Sequence, residues 1–136
     1  MPPTASPRIA DEQYAEPFAG QSLDLLMDAL PYGLLYMDAS LRIQHCNRRC
    51  ADWLGASAAA LRGRDAVSAL GGPHWHRVEP HLRRTLNGEH STLKHMLATP
   101  GHGELRLETA CVPDRNPRGH VRGVLLWLTD VTLHAR

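Results

Sequence analysis

Two predicted strands in the C-terminal half of the chain carry polar residues at alternate positions among apolar ones. In the stretch 104–112, one face of an extended chain holds Leu105, Leu107, Thr109 and Cys111. In the stretch 89–98, His95 shares its face with the leucines two positions before and after it. An apolar surface with a few polar groups is typical of a small-molecule site. The alternative is a filled core, in which His95 bonds to a carbonyl and Cys111 acts as a small hydrophobic residue.

Residues with catalytic or metal-binding chemistry do not form a complete set elsewhere in the sequence. His45, Cys46 and Cys50 are close together, but a fourth zinc ligand is missing and His45 belongs to a predicted strand. Cys50 as a nucleophile would need a base and an oxyanion site, and the sequence shows neither. It also contains no Gly-rich phosphate loop and no paired-carboxylate motif. The sequence therefore predicts a non-catalytic chain without a metal site.

Length and composition favour a single domain in a reducing compartment. The chain has 136 residues, enough for one buried core, and its net charge of +1 gives no general reason to expect nucleic-acid binding. Arginines between residues 42 and 64 could form a basic patch, although bases interleaved on helices usually form a solvated face. The three cysteines have no metal spacing, no apolar run is long enough to span a membrane, and the first residues lack a signal-peptide pattern. We therefore predict a cytoplasmic chain with no nucleic-acid partner and no membrane contact.

The N-terminal part combines a proline-rich leader with a short amphipathic helix. Residues 1–20 contain four prolines and few apolar residues, which predicts a flexible leader. Within residues 21–31, Ser22 can cap a helix that ends at Pro31. The apolar residues of this helix follow i, i+3, i+4 and i+7 spacing, and they are Leu23, Leu26, Met27 and Leu30. A helix this short needs a surface to pack on, which is either its own sheet or a second subunit.

The segment after this helix predicts a hairpin followed by capped helices. The two strands of the hairpin lie at residues 34–38 and 41–45. Asn47 and Ser57 are suited to start the next two helices, and Gly55 can end the first of them. These elements precede a Gly-Gly-Pro loop at residues 71–73.

The remainder predicts one interrupted helix and three strands. Helical spacing extends over residues 74–87, and Pro80 predicts a break near Val78. The strands lie at residues 89–98, 104–112 and 120–130. This order of elements predicts an antiparallel sheet with helices gathered on one face.

The last stretch is apolar on both faces of an extended chain. One face holds Val124, Leu126 and Leu128, and the other holds Val121, Leu125 and Trp127. A strand covered on both sides is predicted to be central in its sheet. It ends at Asp130 and Thr132, two residues suited to cap the start of a following helix.

This closing strand with its Asp-x-Thr ending resembles the end of PAS domains, which are small sensory modules. Other segments match the family pattern in order, at residues 29–33, 34–38, 41–45, 47, 53–55, 61–64, 80–89 and 113–115, the last resembling the break before the final hairpin. The resemblance covers residues 22–132. It implies an α+β fold with a PAS-like five-stranded antiparallel sheet, short helices on one face and an N-terminal flanking helix. It places the PAS domain at residues 32–132 and the start of a linker to an output domain at residues 133–136.

The resemblance also assigns the two faces of the sheet. PAS ligands bind between sheet and helices, so the leucine-rich faces turn inward, and the implied ligand-binding residues are Trp75, His81, His95, Leu107, Thr109, Cys111, Leu126 and Leu128. Leu125 and Trp127 then lie on the outer face, where an uncovered Trp is unfavourable. Together with Leu23, Leu26, Met27 and Leu30, they form the predicted homodimer interface.

Two cofactors known in the family can be weighed against the residues. In gas-sensing PAS proteins an imidazole from the long helix holds haem iron, and His74, His76 and His81 are candidates here, although histidines at such a junction are usually exposed. Light-sensing relatives carry a reactive Cys in a Gly-Arg-Asn-Cys motif. Here the matching residues 63–66 end in Ala66, so a cysteinyl-flavin adduct is not expected. The cofactor is therefore left unknown, with haem as an alternative.

The function implied by the resemblance is that of a sensory and regulatory module in a bacterial signalling protein. Such a protein could be a histidine kinase, a diguanylate cyclase or a transcription regulator. The module would sense a small ligand, mediate dimerisation, or both, and Asp130 and Thr132 would pass the change to the next segment. The alternatives are a ligand-free dimerisation module and a haem sensor.

Overall fold

A computed structural model of the protein describes residues 23–132. The chain divides into two compact units between Leu30 and Pro31. In the first unit, helix α1 spans Leu23–Ala29, and none of its residues is buried. The predicted leader at residues 1–20, the Ser22 cap and the predicted linker at residues 133–136 lie outside the described residues.

The second unit is built on a five-stranded antiparallel sheet. Its strands are β1 (Gly33–Asp38), β2 (Ile43–Cys46), β3 (Ser91–Thr99), β4 (Gly103–Arg115) and β5 (Val121–Asp130). They lie in the order β2-β1-β5-β4-β3. Strand β5 pairs with β1 on one side and β4 on the other, so the central position predicted from its two apolar faces is confirmed.

Four helices lie between the first hairpin and β3. They are α2 (Arg48–Leu54), α3 (Ala58–Leu61), α4 (Ala66–Leu70) and α5 (Gly72–Leu86). Each contributes buried residues, such as Trp53 and Leu82, to one apolar cluster that also holds Leu107 and Leu126 of the sheet. The predicted α+β architecture, with helices on one face of the sheet, is confirmed.

Side-chain caps start these helices where the sequence predicted. The Oδ1 atom of Asn47 accepts a hydrogen bond from the Cys50 amide at 3.0 Å, and the Ser57 hydroxyl accepts one from the Ala60 amide at 3.1 Å. Gly55 ends α2 with a φ of 78°, in the left-handed region that favours glycine. The caps therefore set where α2 and α3 begin, and Gly55 sets where α2 ends.

The predicted break near Val78 is wrong, because α5 is continuous from Gly72 to Leu86. Pro80 lacks the amide that would bond to the carbonyl of His76. Both residues are exposed, so water can satisfy that carbonyl and the helix continues. The predicted loop at residues 71–73 shrinks to Gly71, whose φ of 83° turns the chain from α4 into α5.

Strand β4 also continues past the residues that resembled a break, reaching Arg115 through Pro113. The pairing of β3 with β4 extends only to Cys111, so Pro113 has a neighbouring strand on the β5 side alone. Proline is tolerated in a strand where one edge is unpaired. The long hairpin β4–β5 results from this continuation.

The two faces of the sheet are as alternation predicted. On β4, Leu105, Leu107, Thr109 and Cys111 are buried, whereas Arg106 between them is exposed. On β5, Val124, Leu126 and Leu128 are buried, whereas Trp127 is exposed. The inner face therefore forms the core with the helices, and the outer face keeps an apolar surface of its own.

Candidate functional site

A small cavity lies between the inner face of the sheet and the helices above it. Its volume is about 20 Å³, enough for about one water molecule. Most of its lining is apolar, and the lining residues are Leu35, Cys50, Leu54, Leu70, His74, Val78, His95, Leu97, Thr109, Leu126 and Leu128. Four of the predicted ligand-binding residues therefore meet here, namely His95, Thr109, Leu126 and Leu128.

His95 and Thr109 satisfy each other across the β3–β4 hairpin. The distance from His95 Nε2 to the Thr109 hydroxyl oxygen is 2.8 Å, and both residues are buried. The hydrogen-bond partner of His95 is thus a side-chain hydroxyl, whereas the filled-core alternative predicts a carbonyl. The other ring nitrogen, Nδ1, is buried and has no hydrogen-bond partner among the described residues. An unpaired buried nitrogen is unfavourable, so His95 is the polar group in this core with unused hydrogen-bonding capacity.

A second imidazole lies beside it. The ring centroids of His74 and His95 are 4.8 Å apart, and the ring planes are tilted by 47°. Burial, together with the positive charges that His74, Arg77 and His81 can carry, lowers the pKa of His95 from 6.5 to about 4. Burial also lowers the pKa of His74, with Arg77 adding to the effect. The histidine pair is therefore uncharged at neutral pH.

The other predicted ligand residues lie away from the cavity lining. Trp75, Leu107 and Cys111 are buried in the surrounding core, and burial raises the pKa of the Cys111 thiol to about 11. His81 is half-buried on α5, where its Nδ1 atom bonds to the Ser91 hydroxyl. The sequence interpretation placed His74 among the haem candidates but missed its position against His95. That contact joins a helix to a strand, so no local sequence signal reports it.

The core as built does not fit haem. A cavity of about 20 Å³ is far smaller than a porphyrin, so binding would require the core to open. Among the haem candidates, His74 faces the cavity, whereas His76 is exposed. Ala66, at the position of the reactive flavin Cys in light-sensing relatives, is buried at the start of α4. Among residues 23–132, no group of three or more His, Cys, Asp or Glu side chains is placed to hold a metal ion.

Cys46 and Cys50, which the sequence placed near His45, are neighbours in the structure. A hydrogen bond to Cys46 raises the pKa of the Cys50 thiol well above its usual value, and burial raises it further. Cys50 is therefore held as a neutral thiol in the core beside the Asn47 cap. This arrangement is that of a packed cysteine and not of an activated nucleophile.

The outer face of the sheet has an apolar region bordered by a polar cluster. The Trp127 ring contacts Tyr32, with ring centroids 4.9 Å apart, and Trp127 remains 38% exposed. Nearby, the Tyr36 hydroxyl donates to Asp114 Oδ2 at 2.6 Å, and Arg122 Nε donates to the same oxygen at 3.0 Å. Burial and this hydrogen bond raise the pKa of Tyr36 to about 12. The cluster fixes the edge of the apolar surface.

The residues after β5 are tied back to β4. The Thr132 amide donates to Asp130 Oδ1 at 2.9 Å, and the Thr132 hydroxyl oxygen accepts from the Arg106 amide at 2.9 Å. The Val131 amide donates to the Arg106 carbonyl at 2.8 Å. The chain therefore leaves the sheet in a direction that Arg106 helps to set.

Comparison with known proteins decides the family. A family model described as the PAS fold matches residues 27–136. The chain belongs to the PAS family. No curated protein sequence matches it significantly. In the part of this PAS chain that the structure describes, no helix is both long enough and apolar enough to cross a membrane.

Solved structures share the fold at low sequence identity. VqmA from Vibrio cholerae matches with a TM-score of 0.70 and 17% identity, over 84% of this chain and 52% of that chain. The PAS domain of BvgS from Bordetella pertussis matches with a TM-score of 0.66 and 18% identity, over 90% of this chain and 92% of that one. A sensory box sensor histidine kinase from Vibrio cholerae matches with a TM-score of 0.63 and 17% identity, over 89% and 98% of the two chains. This PAS chain spans about half the length of the VqmA chain.

Proposed function

We propose that this PAS chain is a non-catalytic, cytoplasmic regulatory module of a bacterial signalling protein and that it works as a homodimer. That signalling protein would be a histidine kinase, a diguanylate cyclase or a transcription regulator. The proposal draws on structures of similar fold that include a sensor histidine kinase and VqmA, which is described as a dimer. Asp130 and Thr132 would orient the segment that carries the signal onward.

One observation supports dimerisation above the other roles, namely that Trp127 on the outer face of the sheet is 38% exposed in the described part of the chain. Its neighbour Leu125 is only half-buried, while the inner core is almost completely filled. Tryptophan is enriched among the residues that contribute most to protein interfaces. Helix α1 adds exposed apolar residues, including Leu23 and Leu26, which a partner copy would also cover. These residues of the sheet and of α1 belong to the predicted homodimer interface, which also includes Met27 and Leu30.

Sedimentation velocity over a concentration series tests this proposal. We expect the wild-type chain to be a dimer and the double variant with Leu26→Ser and Trp127→Ser to be a monomer. The matched control is Val67→Ser on α4, which removes another exposed apolar side chain (49% exposed) but should leave the dimer intact. A double variant that dimerises as tightly as the wild type would exclude this interface. A wild-type chain that is monomeric throughout would exclude the homodimer.

A second candidate function is small-ligand sensing in the core, and the unpaired Nδ1 of His95 favours it. A buried nitrogen beside a cavity offers a hydrogen bond to a ligand that could enter if the helices move. Native mass spectrometry of freshly purified protein tests this role together with the subunit count. A discrete mass above that of the chains would support a core ligand, and a bare dimer would leave His95 and Thr109 as packing residues.

A further inference from the structure

A second concavity lies on the surface, outside the core. It is an open groove along β3 and β4 with a volume of about 590 Å³. Four of its lining residues, Lys94, Met96, Arg106 and Glu108, alternate with the buried His95 and Leu107 and therefore lie on the outer face of the sheet, whereas Arg77 belongs to helix α5. The lining residues are Arg77, Lys94, His95, Met96, Arg106, Leu107, Glu108 and Val131. We call this concavity the β3–β4 groove.

The β3–β4 groove is positively charged. Arg77, Lys94 and Arg106 line it and are exposed, and Glu108 is the single acid among its lining residues. Within the described part of the chain, none of these three cations forms an ion pair. Three cations against one acid leave two unbalanced positive charges in a groove of ligand size. Such a surface attracts an anion, and the planar forks of two arginines match carboxylate oxygens.

The groove also has apolar lining. Met96 and Val131 are half-buried there. A volume of about 590 Å³ lies within the range of small-molecule sites, which combine apolar walls with a few polar groups. A ligand that matches this groove therefore carries negative charge at two points, with an apolar segment between them.

Contacts at the groove reach the end of the domain. Arg106 lines the groove with its side chain, and its backbone bonds to Val131 and Thr132 at 2.8 and 2.9 Å. An occupant bound to Arg106 would favour one arrangement of the chain after β5. Occupancy would thus be coupled to the exit direction without any change in the filled core.

We propose that the β3–β4 groove binds a small organic dicarboxylate, whose two carboxylates pair with Arg77, Lys94 and Arg106 around a short apolar chain. Trp127 is not among the residues that line the groove, and His95 is the residue that the groove shares with the core cavity. The groove gives this PAS module a ligand site that the small internal cavity cannot provide.

Lys94 makes the test specific, because it is the only lysine in the sequence. Reductive methylation with ¹³C-formaldehyde keeps its charge and places one side-chain NMR probe in the groove, with the labelled α-amino group as a reference. Titration with adipate and with succinate should shift the Lys94 signal saturably. Titration with 1,6-hexanediol, or with sodium chloride at matched ionic strength, should not.

Variants locate the binding. Arg77→Gln and Arg106→Gln should each weaken dicarboxylate binding by at least about tenfold, since each removes a charge-assisted contact. Arg118→Gln, which removes an exposed arginine from the β4–β5 turn, should bind like the wild type. Circular dichroism melting checks that each variant is folded. The proposal is overturned if neither dicarboxylate shifts Lys94 saturably, or if all three variants bind with wild-type affinity.

Discussion

Acid should destabilise this domain through His95, which is 6% exposed in the core. Its pKa in the folded state is about 4, lowered from 6.5 by burial and by the charges of His74, Arg77 and His81. As the pH falls, the unfolded chain takes up the proton first, so the folded state loses stability between pH 6.5 and about 4. Above pH 6.5 the contribution of His95 is fully present.

The size of the effect follows from the two pKa values. Each pH unit between them corresponds to about 1.4 kcal/mol. The free energy of unfolding should therefore fall by about 2 kcal/mol at pH 5 and about 3 kcal/mol at pH 4 relative to pH 7. A loss of this size is a large part of the roughly 5–15 kcal/mol that stabilises a typical domain.

Urea denaturation at several pH values between 7 and 4 measures this loss, and the informative quantity is the difference between variants. His95→Gln keeps a side chain able to bond to Thr109 but removes the titration of His95, so the loss between pH 7 and pH 5 should be smaller than in the wild type by about 2 kcal/mol. The loss that comes from His74, whose pKa is also lowered by burial, should remain. His102→Gln, at an exposed position in the β3–β4 turn, should keep the wild-type dependence. Equal slopes for His95→Gln and the wild type would show that the histidine is not neutral and buried as described.

Two substitutions test the packing around the first strand. Asn47→Ala removes a buried side chain whose hydrogen bonds include three to backbone groups. It should lower the free energy of unfolding by about 2–4 kcal/mol in urea titrations. The exposed cap variant Ser57→Ala should lower it by only about 1 kcal/mol, and equal losses would contradict the bridging role of Asn47. Gly123→Ala would place a methyl group against the Tyr36 hydroxyl oxygen and 2.7 Å from the Met37 carbonyl oxygen, so thermal melting should show a loss of about 1–3 kcal/mol. In the control Gly72→Ala, the added methyl group has no neighbouring atom within 4 Å, so this variant should melt like the wild type. A Gly123→Ala variant with wild-type melting would refute the close approach of Gly123 to Tyr36.

The sequence was sufficient for features that depend on neighbouring residues. Asn47 and Ser57 cap helices because their side chains reach amides only three residues away, and the alternation on β4 is a property of any extended chain. The order of these local signals identified the fold correctly.

Features that depend on tertiary surroundings were missed or misjudged. Pro80 predicts a break by its own chemistry, but exposure lets water compensate for the lost bond. Pro113 is tolerated because β3 ends before reaching it. The contact of His74 with His95, and the groove shared by Arg77 and Lys94, join a helix to a strand and have no signature in either segment.

The position of β5 has a consequence for how the domain is made. The strand that joins the two halves of the sheet is the last to be synthesised, and it pairs Leu128 with Gly33, almost the full length of the domain apart. Until Val121–Asp130 is available, the β1–β2 and β3–β4 hairpins have no strand between them to connect their backbones. Contacts so distant in sequence slow folding, because the long loop must close before they form. The two hairpins should therefore stay unconnected in the nascent chain until the final strand emerges from the ribosome, and a chain that stops before Val121 should be more sensitive to proteolysis than the whole domain.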